Sequence, residues 1–192
     1  MTKGVTRPME RTLRGRTSSL ALGEQAPTFD DLAGVDGRRY SLSGFDDRAL
    51  MVIVFTGNGC PTAKSCEDRF IATQEAYRPR GVQLVAINSN NPHLSPPDTY
   101  PAMVRRATEK RFNFPVLKDE GGTVARAYGA VCTPQVFVLD QDRRLRYRGR
   151  WDDARVLARV KRHDLQQALD DLLAGRPVAV PETEAFGCSI VW

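Results

Sequence analysis

The feature that most constrains the fold is the stretch 50–69, in which a cysteine follows an apolar run and a glycine-rich loop. The run Leu50–Phe55 is short and rich in β-branched residues, which is typical of a strand buried on both faces. Two glycines close behind it predict a tight loop. Cys60 and Pro61 come next, and proline is favoured at the first turn of a helix. The pattern therefore predicts a buried strand, a loop and a helix that runs from Pro61 to Tyr77.

A cysteine at the start of a helix is placed for reactivity. The first N–H groups of a helix have no partner within it, and the helix dipole is positive there. Both effects stabilise a thiolate, so we expect the pKa of Cys60 to lie below that of a free cysteine. Lys64, one turn further on, adds a positive charge. We therefore predict that Cys60 is a nucleophile supported by Pro61 and Lys64; the alternative is a buried, unreactive cysteine.

This strand, loop, Cys-Pro and helix together resemble the active-site segment of the thioredoxin superfamily. A second match is the segment Val131–Pro134 before the strand-like run Gln135–Leu139. In that superfamily, a Thr-Pro at this place carries a cis proline against the active cysteine, which implies supporting roles for Thr133 and Pro134. With the Gly-Cys-Ser-Ile-x-Trp ending at Gly187–Trp192, the chain is similar to the peroxiredoxin-like (redoxin, AhpC/TSA-like) bacterial family.

The resemblance implies an α/β fold of the thioredoxin-like class, with a central mixed sheet flanked by helices. Asp36-Gly37 between two short runs predicts an N-terminal β-hairpin. We divide the chain into a disordered basic tail at 1–21, the thioredoxin-like domain at 22–174, and an extended C-terminal tail at 175–192 that carries Cys188. The basic tail holds most of the net charge of +5.

One departure from the thioredoxin motif bears on mechanism. The second cysteine of that motif would stand three residues after Cys60, and Ala63 occupies the position. On one continuous helix, Cys66 would lie ~9 Å further along the axis, whereas a disulfide needs α-carbons within ~7 Å. Cys132 lies beside Cys60 if the Thr-Pro match holds, and Cys188 lies on a tail that could fold back. The predicted order of resolving cysteines is Cys132, then Cys188, then Cys66.

We predict a thiol-dependent enzyme, either a thiol-disulfide oxidoreductase or a peroxiredoxin-like antioxidant protein. The Pro-x-x-x-Thr-x-x-Cys pattern of peroxiredoxins does not precede Cys60, which argues against peroxidase activity. No cofactor is expected; the substrate would be a protein or small-molecule disulfide or a peroxide, and the reductant a thiol protein such as thioredoxin. One alternative is copper or other metal handling through Cys60 and Cys132. Another is a redox-inactive interaction module that presents an arginine face.

That arginine face is predicted at 144–150, where arginine alternates with other residues along a strand-like run. It would be either a solvated edge or a docking surface for an acidic partner. The polar, proline-rich segment 88–97 is either a rim of the site or an ordinary loop.

Composition narrows the remaining classes. No apolar run approaches the ~20 residues that a membrane span needs. The basic N-terminus has no apolar signal region, so a cytoplasmic location is expected. No nucleic-acid-binding motif accompanies the basic charge, so no nucleic-acid partner is predicted.

Overall fold

The computed structural model describes residues 20–192, and a seven-stranded mixed sheet forms its centre. The nine strands are β1 Leu32–Gly34, β2 Arg39–Tyr40, β3 Leu50–Thr56, β4 Val82–Asn88, β5 Val116–Lys118, β6 Cys132–Thr133, β7 Gln135–Leu139, β8 Leu145–Gly149 and β9 Cys188–Ser189. The five α-helices are α1 Pro61–Lys64, α2 Glu67–Tyr77, α3 Tyr100–Lys110, α4 Thr123–Tyr128 and α5 Asp164–Leu173. The main sheet has the order β2-β1-β5-β4-β3-β7-β8, and β6 pairs with β9 separately.

The two longest strands, β3 and β4, are parallel and lie in the middle of the sheet. Alternate side chains of β3 face opposite sides, as the pleat requires. Val52 and Val54 pack against α2, α3 and α5. Ile53 and Phe55 pack against α4 and the segment that precedes β1. The central mixed sheet flanked by helices is confirmed, and its two-sided burial explains why β3 is apolar almost throughout.

The helix predicted from Pro61 to Tyr77 is instead two helices, α1 and α2. The Ser65 hydroxyl donates to the Thr62 carbonyl at 2.7 Å, and Cys66 N–H donates to the Ala63 carbonyl three residues back. These short-range bonds tighten the chain into a turn, because serine competes for backbone groups that would otherwise continue the helix. The prediction of one continuous helix is therefore wrong, and the distance estimated for Cys66 loses its premise.

The predicted single face of four arginines is also wrong. Tyr147 pairs with Val138 while Leu145 pairs with Leu139, so the strand bulges at Arg146 and the alternation changes phase. Arg146 and Arg148 form ion pairs with Asp140 and Glu182, and Arg150 pairs with Asp164, so these guanidinium groups are engaged within the chain.

The hairpin and the extended tail are both present. β1 and β2 pair across the turn that contains Asp36-Gly37, and β1 joins the sheet beside β5. The tail ends in β9, which crosses the molecule to pair with β6. The predicted disordered tail falls mostly on residues outside those described. Among residues 20–192, every helix is too short or too polar to cross a membrane.

Candidate active site

Cys60 lies where the central strand β3 passes through its loop into α1. It caps the helix, and its sulfur accepts a hydrogen bond from Ala63 N–H at 3.3 Å. Its thiol donates to the Thr133 carbonyl at 3.0 Å, which ties α1 to β6. Only 3% of Cys60 is exposed. Ala63, at the position of the second cysteine in thioredoxins, thus donates a backbone hydrogen bond to Cys60.

The surroundings of Cys60 lower its pKa below the ordinary value for cysteine. Burial alone would raise the pKa, since it disfavours the thiolate. Hydrogen bonds outweigh burial: the Cys188 thiol, the Thr133 side chain and the N–H groups of Ala63 and Cys188 all favour the charged sulfur. The predicted lowering thus has a structural basis in donors around the sulfur, several of which come from outside α1.

Cys188 reaches the site through the pairing of β9 with β6. In that pairing Cys188 stands opposite Thr133, whose carbonyl receives the Cys60 thiol. The backbone bond from Ile190 N–H to the Val131 carbonyl, 3.0 Å long, extends the pairing. Cys60 and Cys188 are both free thiols, and their interaction shifts the pKa values of the two in opposite directions.

The pKa of Cys188 is raised, in the opposite direction to that of Cys60. The hydrogen bond to Cys60 is the largest cause, followed by burial and by the charge on the Cys60 sulfur. The N–H of Thr62 and the cation of Arg155 oppose the rise. Of the two thiols, Cys60 therefore loses its proton more readily and Cys188 less readily.

The other two cysteines lie near this pair but differ in their contacts. Cys132, predicted as the first resolving cysteine, is one residue before Thr133, so its side chain points to the opposite face of β6. Burial, together with the charges of Cys60 and Cys188, raises its pKa to about 11. Cys188 and not Cys132 is among the groups that lower the pKa of Cys60, so the contacts favour Cys188, whereas the predicted order placed Cys132 first. Cys66 is buried and its sulfur contacts the Arg69 guanidinium at 2.9 Å.

The four supporting residues have separate positions. Pro61 begins α1, and the Thr133–Pro134 peptide bond is cis. Thr133 is buried between Cys60 and β9. Lys64 is exposed at the end of α1; its backbone N–H donates to the Cys60 carbonyl at 3.0 Å, but within residues 20–192 its ammonium group makes no hydrogen bond to Cys60. The pKa of Cys60 is therefore lowered by hydrogen-bond donors around its sulfur, and the Lys64 ammonium group is not among them.

A buried carboxylate beneath the loop was missed by sequence analysis. Asp98 is completely buried, and its Oδ1 accepts from Asn58 N–H and from Asn88 Nδ2, each at 2.6 Å. Its Oδ2 accepts from Asn90 Nδ2 at 3.1 Å. Gly57 is needed here, because a Cβ on it would lie 2.5 Å from Asn90 Nδ2. No local pattern marks Asp98, since its partners come from three segments of the chain.

The segment 88–97 holds the C-terminal tail over the site. Asn90 Oδ1 accepts from Val191 N–H at 2.9 Å, and Asn91 N–H donates to the Val191 carbonyl at 2.7 Å. Ile190 is 5% exposed and joins the core on the α4 side of the sheet. Segment 88–97 therefore forms a rim of the site, rather than an ordinary loop, and it binds the C-terminal tail through these hydrogen bonds.

Metal binding was an alternative for these cysteines. Across residues 20–192, no three His, Cys, Asp or Glu side chains are grouped so that they could hold a metal ion.

Comparison with known proteins agrees with this architecture. The profile of the AhpC/TSA family matches residues 22–148, which is more than half of the chain. The chain belongs to the AhpC/TSA family. This confirms the predicted membership of the thioredoxin superfamily in its redoxin, peroxiredoxin-like branch.

Relatives of this AhpC/TSA protein include redox enzymes and proteins of unassigned function. Thiol-disulfide oxidoreductase ResA from Bacillus thuringiensis is 22% identical over 161 residues, which cover 82% of this chain and 80% of that protein. An uncharacterized conserved protein from Geobacillus kaustophilus is 39% identical, with 91% of this chain and 94% of that chain covered and a TM-score of 0.85. A thiol:disulfide interchange protein of the thioredoxin family from Chlorobium tepidum is 19% identical, with coverage of 80% and 98% and a TM-score of 0.61. The last likeness shows the thioredoxin-like fold.

Proposed function

We propose that this protein is a thiol-disulfide oxidoreductase in which Cys60 is the nucleophile and Cys188 the resolving cysteine. The observation that carries the proposal is the pairing of β9 with β6, which brings the free thiol of Cys188 beside Thr133, whose carbonyl accepts the hydrogen bond of the Cys60 thiol. The pKa of Cys60 is lowered there and that of Cys188 is raised. The name of the curated relatives, thiol-disulfide oxidoreductase, supports the predicted class of thiol-dependent enzyme.

The first step is attack on a substrate disulfide. The Cys60 thiolate forms a mixed disulfide with one substrate sulfur, and the other substrate sulfur leaves as a thiolate that takes up a proton. Helix-start donors favour the attacking form of Cys60. Because Cys60 is 3% exposed, the tail must move aside before a substrate sulfur can reach it.

The second step depends on the raised pKa of Cys188, which changes once the mixed disulfide has formed. The charge on Cys60 disappears when its sulfur becomes part of the mixed disulfide. The two contributions of Cys60 that raise the pKa of Cys188 then weaken, while the N–H of Thr62 and the cation of Arg155 still lower it. Cys188 loses its proton more readily at this stage and attacks the Cys60 sulfur. The second substrate thiol leaves and takes a proton, so the substrate gains two electrons and the Cys60–Cys188 disulfide forms.

Disulfide mapping tests the assignment. Mild oxidation of the purified protein followed by mass spectrometry should show a Cys60–Cys188 bond, and Cys132→Ser should not change it. In a coupled disulfide-reduction assay, Cys60→Ser should be inactive and Cys188→Ser should stop with substrate bound to Cys60. A Cys60–Cys132 bond, with turnover lost in Cys132→Ser and kept in Cys188→Ser, would return the resolving role to Cys132.

Hydrogen peroxide in place of the disulfide tests the antioxidant alternative in the same assay. The absence of the peroxiredoxin pattern before Cys60 leads us to expect slower turnover of peroxide than of disulfide. Faster turnover of peroxide would make peroxide reduction the main activity of the same thiol.

A further inference from the structure

The connection between β8 and α5 forms a basic surface next to the site. Residues 154–163, here called the basic loop, carry four cations and no Asp or Glu. Val156 is 53% exposed and Leu157 62% exposed, which is high for apolar side chains within an ordered loop. Arginine with exposed aliphatic side chains is a composition suited to a protein partner.

The cations of the basic loop are available to a partner. Arg155, Arg159 and Lys161 are exposed, and none of them forms an ion pair within residues 20–192. This distinguishes them from Arg146, Arg148 and Arg150, which are paired within the chain. Surface cations without internal partners attract an oppositely charged surface and speed its association.

The basic loop is continuous with the redox site. Ala154 and Phe186 line one small cavity together with Thr62 and Pro134. The Arg155 carbonyl accepts a hydrogen bond from the Arg69 guanidinium at 3.2 Å. Phe186, 37% exposed, stands two residues before Cys188 on the tail. A partner seated on the loop would therefore meet the Cys188 side of the pair.

We propose that the basic loop docks an acidic protein whose dithiol reduces the Cys60–Cys188 disulfide. The proposal rests on the function proposed above and names the chemistry of the reductant: Asp and Glu side chains, with apolar side chains among them, around a pair of cysteines. Charge complementarity selects this partner, and the exposed Val156 and Leu157 supply the apolar contact.

The partner's dithiol reduces the Cys60–Cys188 disulfide in two thiol-disulfide exchanges. A partner thiolate attacks Cys188, the more exposed sulfur, and Cys60 leaves as a thiolate because the thiol with the lower pKa leaves faster. The second partner thiol loses its proton and attacks the partner sulfur of the mixed disulfide, and Cys188 leaves and takes up a proton. The partner ends as a disulfide, and two electrons have passed to Cys60 and Cys188.

The test uses two synthetic peptides that share a Cys-Gly-Pro-Cys dithiol and leucines but are flanked by either glutamates or lysines. The rate at which each reduces the oxidised protein is measured by acid quenching and mass spectrometry. At low salt the acidic peptide should react roughly tenfold faster than the basic one. The difference should shrink to within about twofold at about 0.5 M salt, where charges are screened.

Matched variants locate the effect. Arg159→Glu with Lys161→Glu should abolish the preference for the acidic peptide. Arg78→Glu with Arg105→Glu changes the net charge equally at exposed arginines elsewhere and should retain it. Leu157→Ser should slow both peptides at high salt. The proposal would be overturned if both double variants lost the preference for the acidic peptide equally. It would also be overturned if the unaltered protein reacted with both peptides at the same rate.

Small thiols separate this proposal from the underlying function. Dithiothreitol should reduce the Cys60–Cys188 bond of all variants at similar rates. If no such bond forms, the proposed function itself fails. If the bond forms but its reduction by glutathione depends on Arg159 and Lys161 as strongly as its reduction by the acidic peptide does, the loop attracts any small anionic thiol and docking of a protein is refuted.

Discussion

The two sulfurs of the site are held by regions of very different construction. Cys60 follows β3, in which six of the seven residues are buried, and is fixed by the loop over Asp98 and by the first turn of α1. Cys188 is held by a two-residue strand and a few bonds from the tail to the rim segment 88–97. From this difference we predict that Cys60 is held rigidly and that Cys188 lies on an element that can open.

Asp98 offers the strongest test of the rigid half. Asp98→Ala leaves several buried donors without an acceptor, and we expect a loss of about 3 kcal/mol in the free energy of unfolding. Chemical denaturation measures this. Asp98→Asn should lose less, and Asp30→Ala, at an exposed position, should change stability by less than about 0.5 kcal/mol. If Asp98→Ala were as stable as Asp30→Ala, the network would not fix the loop that precedes Cys60.

The segment that holds Cys60 could be predicted from the sequence, whereas the hydrogen-bond network of Asp98 beneath it could not. The apolar run, the glycine loop and Cys60-Pro61 are local signals, and the structure places them as expected. Asp98 gains its role only when residues 58, 88 and 90 converge on it, which no local pattern encodes. The same limit applies to the break at Ser65, where one side-chain hydrogen bond outweighs the helical pattern.

For the C-terminal tail, the sequence predicted an extended segment that carries Cys188 but not its pairing with β6. An apolar ending with a cysteine indicated that the tail needs a partner surface. Its register against β6 decides whether Cys188 comes beside Cys60, and register depends on tertiary contacts. The bulge at Arg146 likewise follows from pairing with β7, so strict alternation in the sequence misplaced the arginines.

Gly187→Ala should loosen the tail without removing a hydrogen-bonding side chain. A Cβ on Gly187 would collide with the Thr133 carbonyl, which receives the Cys60 thiol. Such overpacking costs about 1–3 kcal/mol, which should slow closure of the Cys60–Cys188 bond roughly tenfold. The rate of disulfide closure after a pulse of oxidised dithiothreitol measures the effect.

Gly44→Ala is the control, because a Cβ there has open space. Both variants should retain the stability of the seven-stranded sheet in denaturation, since β9 is not one of its strands. An unchanged rate of closure in Gly187→Ala would mean that β9 does not need its close approach to β6.

The pH dependence of alkylation tests the link between the two halves. The pKa of Cys60 is lowered partly by a hydrogen bond from Cys188, so its thiolate predominates at a lower pH than in a free cysteine. Cys188→Ala removes that donor and should move the inflection of Cys60 alkylation to higher pH. Cys188→Ser keeps a hydroxyl donor and should move it less.

The inflection, rather than the plateau rate, is the readout, because opening the tail also changes access. Cys132→Ala is the control: with its pKa raised to about 11, Cys132 is uncharged at neutral pH and should leave the inflection in place. An inflection unaffected by Cys188→Ala would assign the lowered pKa of Cys60 to α1 and Thr133 alone.

Trp192 should give the smallest effect and the finest test of how independently the tail opens. Its ring lies under the Arg126 guanidinium, 4.2 Å from the centroid, and 43% of the residue is exposed. Such a contact contributes about 0.5–1 kcal/mol, so Trp192→Ala should raise the open population roughly two- to fivefold, and Trp192→Phe should raise it less. Hydrogen exchange at Asn91 and Val191, whose amides bind the tail to the rim, reports this opening. Exchange at Val52 in β3 should not change, because local opening leaves the core intact; equal acceleration there would show that tail and core open as one unit and that the contrast between the two sulfurs is wrong.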